Sequence, residues 1–309
     1  MMNDVTKSEM DRTITWCASV LGSVEDISDH SKVHGGHESS TRRLRCPSGF
    51  CYLKIHHTSS HWHNEVHAYE NWAQAFGGHA PTLLAVRDET PLALVTSELP
   101  GQVAENTALS MSHKLALWRS AGAALASLHN LESGEHFGPC WRDGSSVAAP
   151  SPCARVHVSN RFQKEIERAV RGGYISEDES ATLRAAWELI PAFEGELPTP
   201  CHRDYSTANW LVNSDGSWSG VIDFDFAHWD VRVADFSRDA NWTWLRQPDL
   251  VDAFFEGYGH RLTPAQEQQL LITRAEYALS AILWGRDHSF HGFEQEGREA
   301  LVHLAGRLR

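Results

Sequence analysis

The side chains best suited to chemistry cluster in one stretch, His202-Arg203-Asp204-Tyr205-Ser206-Thr207-Ala208-Asn209. After it come an apolar run at Trp210–Val212, the turn Asn213-Ser214-Asp215-Gly216, and a return run Trp218–Phe224 that carries Asp223, with Asp225 just beyond. An Asn-Ser-Asp-Gly turn between two apolar runs predicts an antiparallel hairpin. Such a hairpin sets the start of its first strand beside the end of its second. Asn209 and Asp223 therefore arrive at one end, with Asp204 on the loop just outside. An amide oxygen and a carboxylate meeting there suit a hard divalent cation. Asp204 is left to align a hydroxyl, which is the division of labour phosphoryl transfer requires. His202, two residues from Asp204 in a tight loop, is suited to fixing the loop by hydrogen bonding and packing. Any single Asp or Asn beside a hairpin commonly caps a turn; it is the ordered combination that points to chemistry.

A second constellation lies upstream. In the run Phe50–Ile55, Cys51, Leu53 and Ile55 alternate with Phe50, Tyr52 and Lys54, so Lys54 projects from the opposite strand face to its apolar neighbours. Glu65 falls within the helical stripe Trp62, Val66, Tyr69, Trp72, Phe76. A carboxylate there would be costly unpaired, and Lys54 is its natural partner. The Gly35-Gly36 pair before this strand can bring backbone N–H groups close to phosphates, although Gly-Gly alone is no more than a turn.

The elements that must position these residues divide the chain in two. A helical preamble over 1–22 precedes short strands between Ile27 and Ile55. The helix closed by Gly77-Gly78 comes next, then strands at Thr82–Val86 and Leu92–Ser97. Past Glu98-Leu99-Pro100-Gly101 the pattern turns helical. A long helix covers Ser112–Leu131, an irregular loop Arg142–Val156, helices 159–172 and 178–194, and a strand-rich island 199–226 interrupts the helices before the end. The fold class is α+β, with a sheet-dominated lobe over 1–100 and a mainly helical one over 101–309.

With 309 residues, 41% hydrophobic and 22% charged, the chain can bury a sizeable core. A formal net charge of -13 disfavours nucleic acid and makes a neutral or cationic small partner easier to accommodate. No stretch resembles a signal peptide or a membrane span. Six scattered cysteines read as free thiols of a cytoplasmic protein, which is expected to be a monomer or homodimer.

The catalytic stretch resembles the aminoglycoside phosphotransferases and their choline- and homoserine-kinase relatives, through His202-x-Asp204-x4-Asn209 and Ile222-Asp223-Phe224. The resemblance implies a protein-kinase-like bilobal fold and a small-molecule kinase using ATP and Mg²⁺. It implies Asp204 as catalytic aspartate, Asn209 and Asp223 as Mg²⁺ ligands, and Asp235 in Val233-Ala234-Asp235-Phe236 as a brace of the catalytic loop. Lys54, held by Glu65, would meet the α/β-phosphates. Gly35 and Gly36 would face phosphates; Leu99, in an interlobe linker at Glu98-Leu99-Pro100-Gly101 whose backbone meets adenine, and Ser97 at the strand end before it would complete the nucleotide site.

His202-Arg203-Asp204 also reads like a protein kinase. Against that, Ser206 stands where those enzymes carry lysine, Asp225 replaces the glycine after Asp-Phe, and no Ala-Pro-Glu follows. These departures favour a small hydroxylated acceptor, either an antibiotic or a metabolic or biosynthetic substrate. A silent nucleotide-binding scaffold would not need Lys54, Asp204, Asn209 and Asp223 together. Asp225 either serves a second Mg²⁺ or supports the turn. Asp230, Asp239, Glu276 and Asp287 are candidate partners for amines, and Trp229, Trp242, Trp244 and Trp284 candidate pocket walls.

Overall fold

Strand β3 (Gly49–His56) buries Cys51, Leu53 and Ile55 on one face, as the alternation predicts. It is central to a five-stranded antiparallel sheet of order β1-β2-β3-β5-β4, with β1 Glu25–Asp29, β2 Ser39–Cys46, β4 Leu83–Arg87 and β5 Ala93–Ser97. The computed structural model describes residues 5–30, 39–151, 153–238 and 246–308. Helix α1 (Lys7–Leu21) opens on a Thr6/Glu9 capping box. It lays Met10 and Cys17 against Leu44, Leu53, Ile55 and Val95, forming a core on one face of the sheet.

Helix α2 (Ser59–Asn71) runs beside the sheet and is tied to it by Trp62 Nε1–H donating to Ala93 O at 3.1 Å. Its apolar stripe (Trp62, Val66, Tyr69) nevertheless belongs to the large core of the helical part, together with Trp72 and Phe76. Gly77, at φ 58°, ends the 3-10 turn that follows α2.

The large part is built on α3 (Met111–His129), α4 (Ala154–Arg171), α5 (Glu177–Trp187), α6 (Pro248–Tyr258), α7 (Pro264–Asp287) and α8 (His291–Ala305). Helices α3 and α6 touch backbone to backbone. A Cβ at Gly122 would sit 2.0 Å from Phe254 O, and one at Gly257 1.8 Å from Arg119 O. Helix α4 starts at Ala154, before the expected 159, because Ala154, Val158 and Phe162 recur at four-residue steps and all three are buried.

Between the two parts lie β6 (Gln102–Val103), β7 (Thr199–Cys201), β8 (Trp210–Val212), β9 (Trp218–Val221) and β10 (His228–Asp230). Strands β8 and β9 form the expected hairpin, pairing Trp210 with Val221, and Ile222 N–H donates to Asn209 O at 3.0 Å beyond its open end. This is a bilobal α+β fold, a small antiparallel sheet lobe on a helical one. No helix among the described residues is long and apolar enough to cross a membrane, and the six cysteines are unpaired.

Candidate active site

The loop from β7 toward β8 is held from beneath by one carboxylate. Asp235, on the 3-10 turn Arg232–Phe236, accepts the backbone N–H of His202 at 2.9 Å and of Arg203 at 2.5 Å. It also accepts from His129 Nε2 at 2.9 Å, while His129 Nδ1 meets Tyr258 Oη at 2.8 Å. A carboxylate can only accept, so the proton sits on Nε2 and the tyrosine hydroxyl donates to Nδ1. Burial pushes the Asp235 carboxyl up, but the hydrogen bonds it accepts, that of His129 first, outweigh it and hold the group below its usual value. His129, Cys201 and Asp235 lie close enough together to suggest a metal cluster, but both His129 nitrogens and both Asp235 oxygens are already engaged.

Arg203 takes φ 68°, a left-handed conformation that a non-glycine residue adopts at some cost. Its guanidinium meets Asp230, which is fully buried and also takes Arg161 at 2.6 Å. Arg161 in turn pairs with Glu276. Beyond Arg203, His202 donates from Nε2 to Ile222 O at 3.1 Å and accepts the Asp204 N–H on Nδ1 at 3.3 Å. The imidazole therefore ties the loop to the segment after β9, and it packs on Phe224.

Asp204 is 7% exposed. Asn209 Nδ2–H donates to its backbone oxygen at 3.0 Å, which commits the nitrogen end of that amide and leaves the oxygen end for another partner. Arg238 lies 2.6 Å from Asp204 Oδ1, yet no donor is aligned for a hydrogen bond to that buried oxygen. Burial pushes the Asp204 carboxyl up, and the Arg238 guanidinium opposes it.

Lys54 reaches this site from β3. Its Nζ lies 2.5 Å from Asp223 Oδ1, 3.0 Å from Glu65 Oε2 and 3.4 Å from Asp225 Oδ2. Burial alone would lower the ammonium, but the three carboxylates raise it well above the lysine value. Glu65 is 1% exposed and also meets His56 Nε2 at 2.9 Å. Asp223 sits at φ 71°, a region aspartate enters more readily than most residues. Asp225 keeps one buried oxygen without a partner, and burial together with Asp223 pushes its carboxyl well up.

The structure thus brings Lys54, Glu65, His202, Asp204, Asn209, Asp223 and Asp235 together. Gly35 and Gly36 lie outside the described residues. Ser97 is committed to β4: its hydroxyl accepts the Thr82 N–H at 2.9 Å and its own N–H donates to Thr82 O at 2.8 Å. Leu99 is half-buried on the connection between β5 and β6, close against Gly220.

The amine-facing expectations fare differently. Asp230 and Glu276 are spent on Arg161, and Asp287 on Arg168. Trp229 is buried against Trp72, and Trp284 stacks on His288. Asp239, Trp242 and Trp244 lie outside the described residues. Sequence reasoning missed His56 and Arg238. The strand alternation sets His56 on the same face as Lys54, but Arg238 follows an irregular turn where no periodicity speaks.

A profile described as the phosphotransferase enzyme family matches residues 29–270. No curated protein matches the chain. Among solved structures, the GDP and kanamycin complex of APH(2")-IIia is similar at TM-score 0.68 and 13% identity, with 96% of this chain and 99% of that one covered. A thermostable mutant of aminoglycoside phosphotransferase APH(4)-Ia in ternary complex with ADP and hygromycin B gives TM-score 0.70, 14% identity and coverages of 94% and 97%. Macrolide 2'-phosphotransferase MphH from Brachybacterium faecium gives 0.62, 14%, 95% and 98%. At these identities the likeness is one of fold, and the profile supplies the family. With that match spanning most of the chain, over a site where a lysine, an amide and four carboxylates converge, this protein belongs to the phosphotransferase enzyme family.

Proposed function

We propose that this phosphotransferase moves the terminal phosphoryl group of ATP, with Mg²⁺, onto a hydroxyl of a small molecule. The observation that carries the reading is the reach of Lys54 from the sheet lobe to Asp223, beside a buried Asp204 oxygen that still has no aligned donor. Asn209 and Asp223 are the residues that would hold Mg²⁺, since an amide oxygen and a carboxylate suit a hard cation. When bound, the metal supplies neutralisation of phosphate charge.

The rest of the work falls to side chains. Lys54, braced by Glu65, meets the α/β-phosphates, and Leu99 lies on the linker that faces adenine. Asp204 accepts the hydrogen bond of the acceptor hydroxyl and orients its oxygen toward phosphorus. The new P–O bond forms as the bond to ADP breaks, and the proton passes to Asp204. His202 and Asp235 hold the loop in that geometry. In this reading residues 1–100 form the nucleotide-binding lobe, and 101–309 carry catalysis and the acceptor.

The acceptor we propose is an aminoglycoside or another hydroxylated antibiotic, neutral or cationic. A net charge of -13 and the kanamycin and hygromycin B complexes of the fold neighbours support this class. Six unpaired thiols support a cytoplasmic setting. A screen of hydroxylated amines, read by mass spectrometry for the gain of one phosphoryl group, identifies the acceptor. An anionic compound with the highest kcat/KM would overturn the charge argument.

Calorimetry tests the metal ligands. ATP affinity should weaken about tenfold or more when Mg²⁺ is withdrawn or Asp223→Asn is introduced, the scale of losing one charge-assisted contact. Equal affinity in all three cases would remove Asp223 from metal binding. Lys54→Ala and Glu65→Ala should each impair turnover, and the double variant should lose about 0.5–3 kcal/mol less than the sum of the two. Strict additivity would dissolve the pair.

A further inference from the structure

Four carboxylates crowd this site: Glu65, Asp204, Asp223 and Asp225. Lys54 is shared among three of them and does not reach Asp204. Among the described residues, the arginine or lysine paired with Asp204 is Arg238, 2.6 Å from Oδ1. It comes from the segment just after the 3-10 turn that carries Asp235, not from the catalytic loop itself. The loop offers Ser206 at the position two beyond Asp204, where a cation would otherwise stand.

The contact has an unusual character. The guanidinium supplies its charge at Oδ1, an oxygen enclosed by the protein, without an aligned hydrogen bond to it. Its Cζ also lies over the Tyr277 ring of α7, 6.0 Å from the ring centre, a cation–π contact. Arg238 keeps 32% of its side-chain surface exposed, against 10% for Asp204, so it reaches inward from the rim of the site.

We propose that Arg238 is a positioning residue for the transfer: by its contact at Oδ1 it holds the Asp204 carboxylate among like charges, so that the other oxygen, Oδ2, is turned to the acceptor hydroxyl. This rests on the reading of Asp204 as the group that aligns the acceptor. A carboxylate released from its counter-ion beside Asp223 would be pushed away from its neighbours. Small displacements of an aligning group are costly in rate and leave nucleotide binding largely intact.

Intrinsic hydrolysis of Mg–ATP, with water as the acceptor, tests the proposal without the natural acceptor. Arg238→Gln should lower kcat at least ~10-fold while the KM for ATP stays within about twofold, and Arg238→Lys should recover much of the loss. Asp204→Asn combined with Arg238→Gln should be no slower than Asp204→Asn alone, because one residue acts through the other.

Full kcat in a folded Arg238→Gln protein would overturn the proposal, and so would losses that multiply in the double variant. A change confined to the KM for ATP would make Arg238 a nucleotide contact instead, against the proposal. Should Arg238→Gln fail to fold, Arg238→Lys with and without Asp204→Asn carries the same comparison. If the wild type neither binds Mg–ATP nor hydrolyses it faster than Asp204→Asn, the ATP-dependent reading fails and this inference with it. If the wild type is active and Arg238→Gln is its equal, only the role of Arg238 falls.

Discussion

Asp204→Asn is expected to keep the fold and Mg–ATP affinity of the wild type and to lose ~10²–10⁴ in kcat, the range for removing a positioned acid–base group. The amide preserves shape, and the Asp204 backbone oxygen still accepts from Asn209. What disappears is the charge of a buried carboxylate whose enclosed Oδ1 faces Arg238 at 2.6 Å. The lower end of the range corresponds to a loose transition state, in which the proton moves late and orientation is the main contribution. The measurement is steady-state kinetics with the identified acceptor, alongside a thermal melt. A folded Asp204→Asn protein with wild-type kcat would take Asp204 out of the mechanism.

Asp235→Ala should be the most damaging substitution for the fold near the site, costing about 3–5 kcal/mol, as removal of one partner of a buried charged network does. The carboxylate is 2% exposed and receives three donors, the N–H groups of His202 and Arg203 and the His129 ring. Alanine strands all three away from water. Chemical denaturation should show the loss as a lower midpoint, and kcat should fall because the loop carrying Asp204 loses its anchor. An unchanged midpoint would mean that the loop is held by other contacts.

The pH dependence has a definite sign. A carboxyl held below its ordinary 3.8 contributes stability above that pH and loses it as pH falls through the folded value. Asp235→Asn should therefore flatten that acidic part of the stability curve.

Much of this site could be read from the residues because it is built on short, regular spacings. The hairpin followed from Asn213-Ser214-Asp215-Gly216 between two apolar runs, and it fixes Asn209 beside Ile222. The outward aim of Lys54 followed from the alternation of β3, and the inward place of Glu65 from the stripe of α2. The remainder depends on chain returns that carry no local signature. Nothing near Asp230, Glu276 or Asp287 announces that arginines from α4, and Arg203, will claim those carboxylates. Ser97 ends β5 as the apolar run suggests, but no pattern announces that its hydroxyl accepts the Thr82 N–H ahead of β4. Arg238 is legible only after the fold has placed it.

The pairing of Arg203 with Asp230 bears on how such an activity would be governed in a cell. Many transferases keep an arginine beside the catalytic loop waiting for a phosphate that another enzyme adds to a mobile segment, and the loop orders only then. Here the waiting partner is encoded: Asp230 is a wholly enclosed carboxylate whose Oδ2 takes both Arg203 and Arg161. The brace is therefore made entirely of side chains that the chain itself supplies.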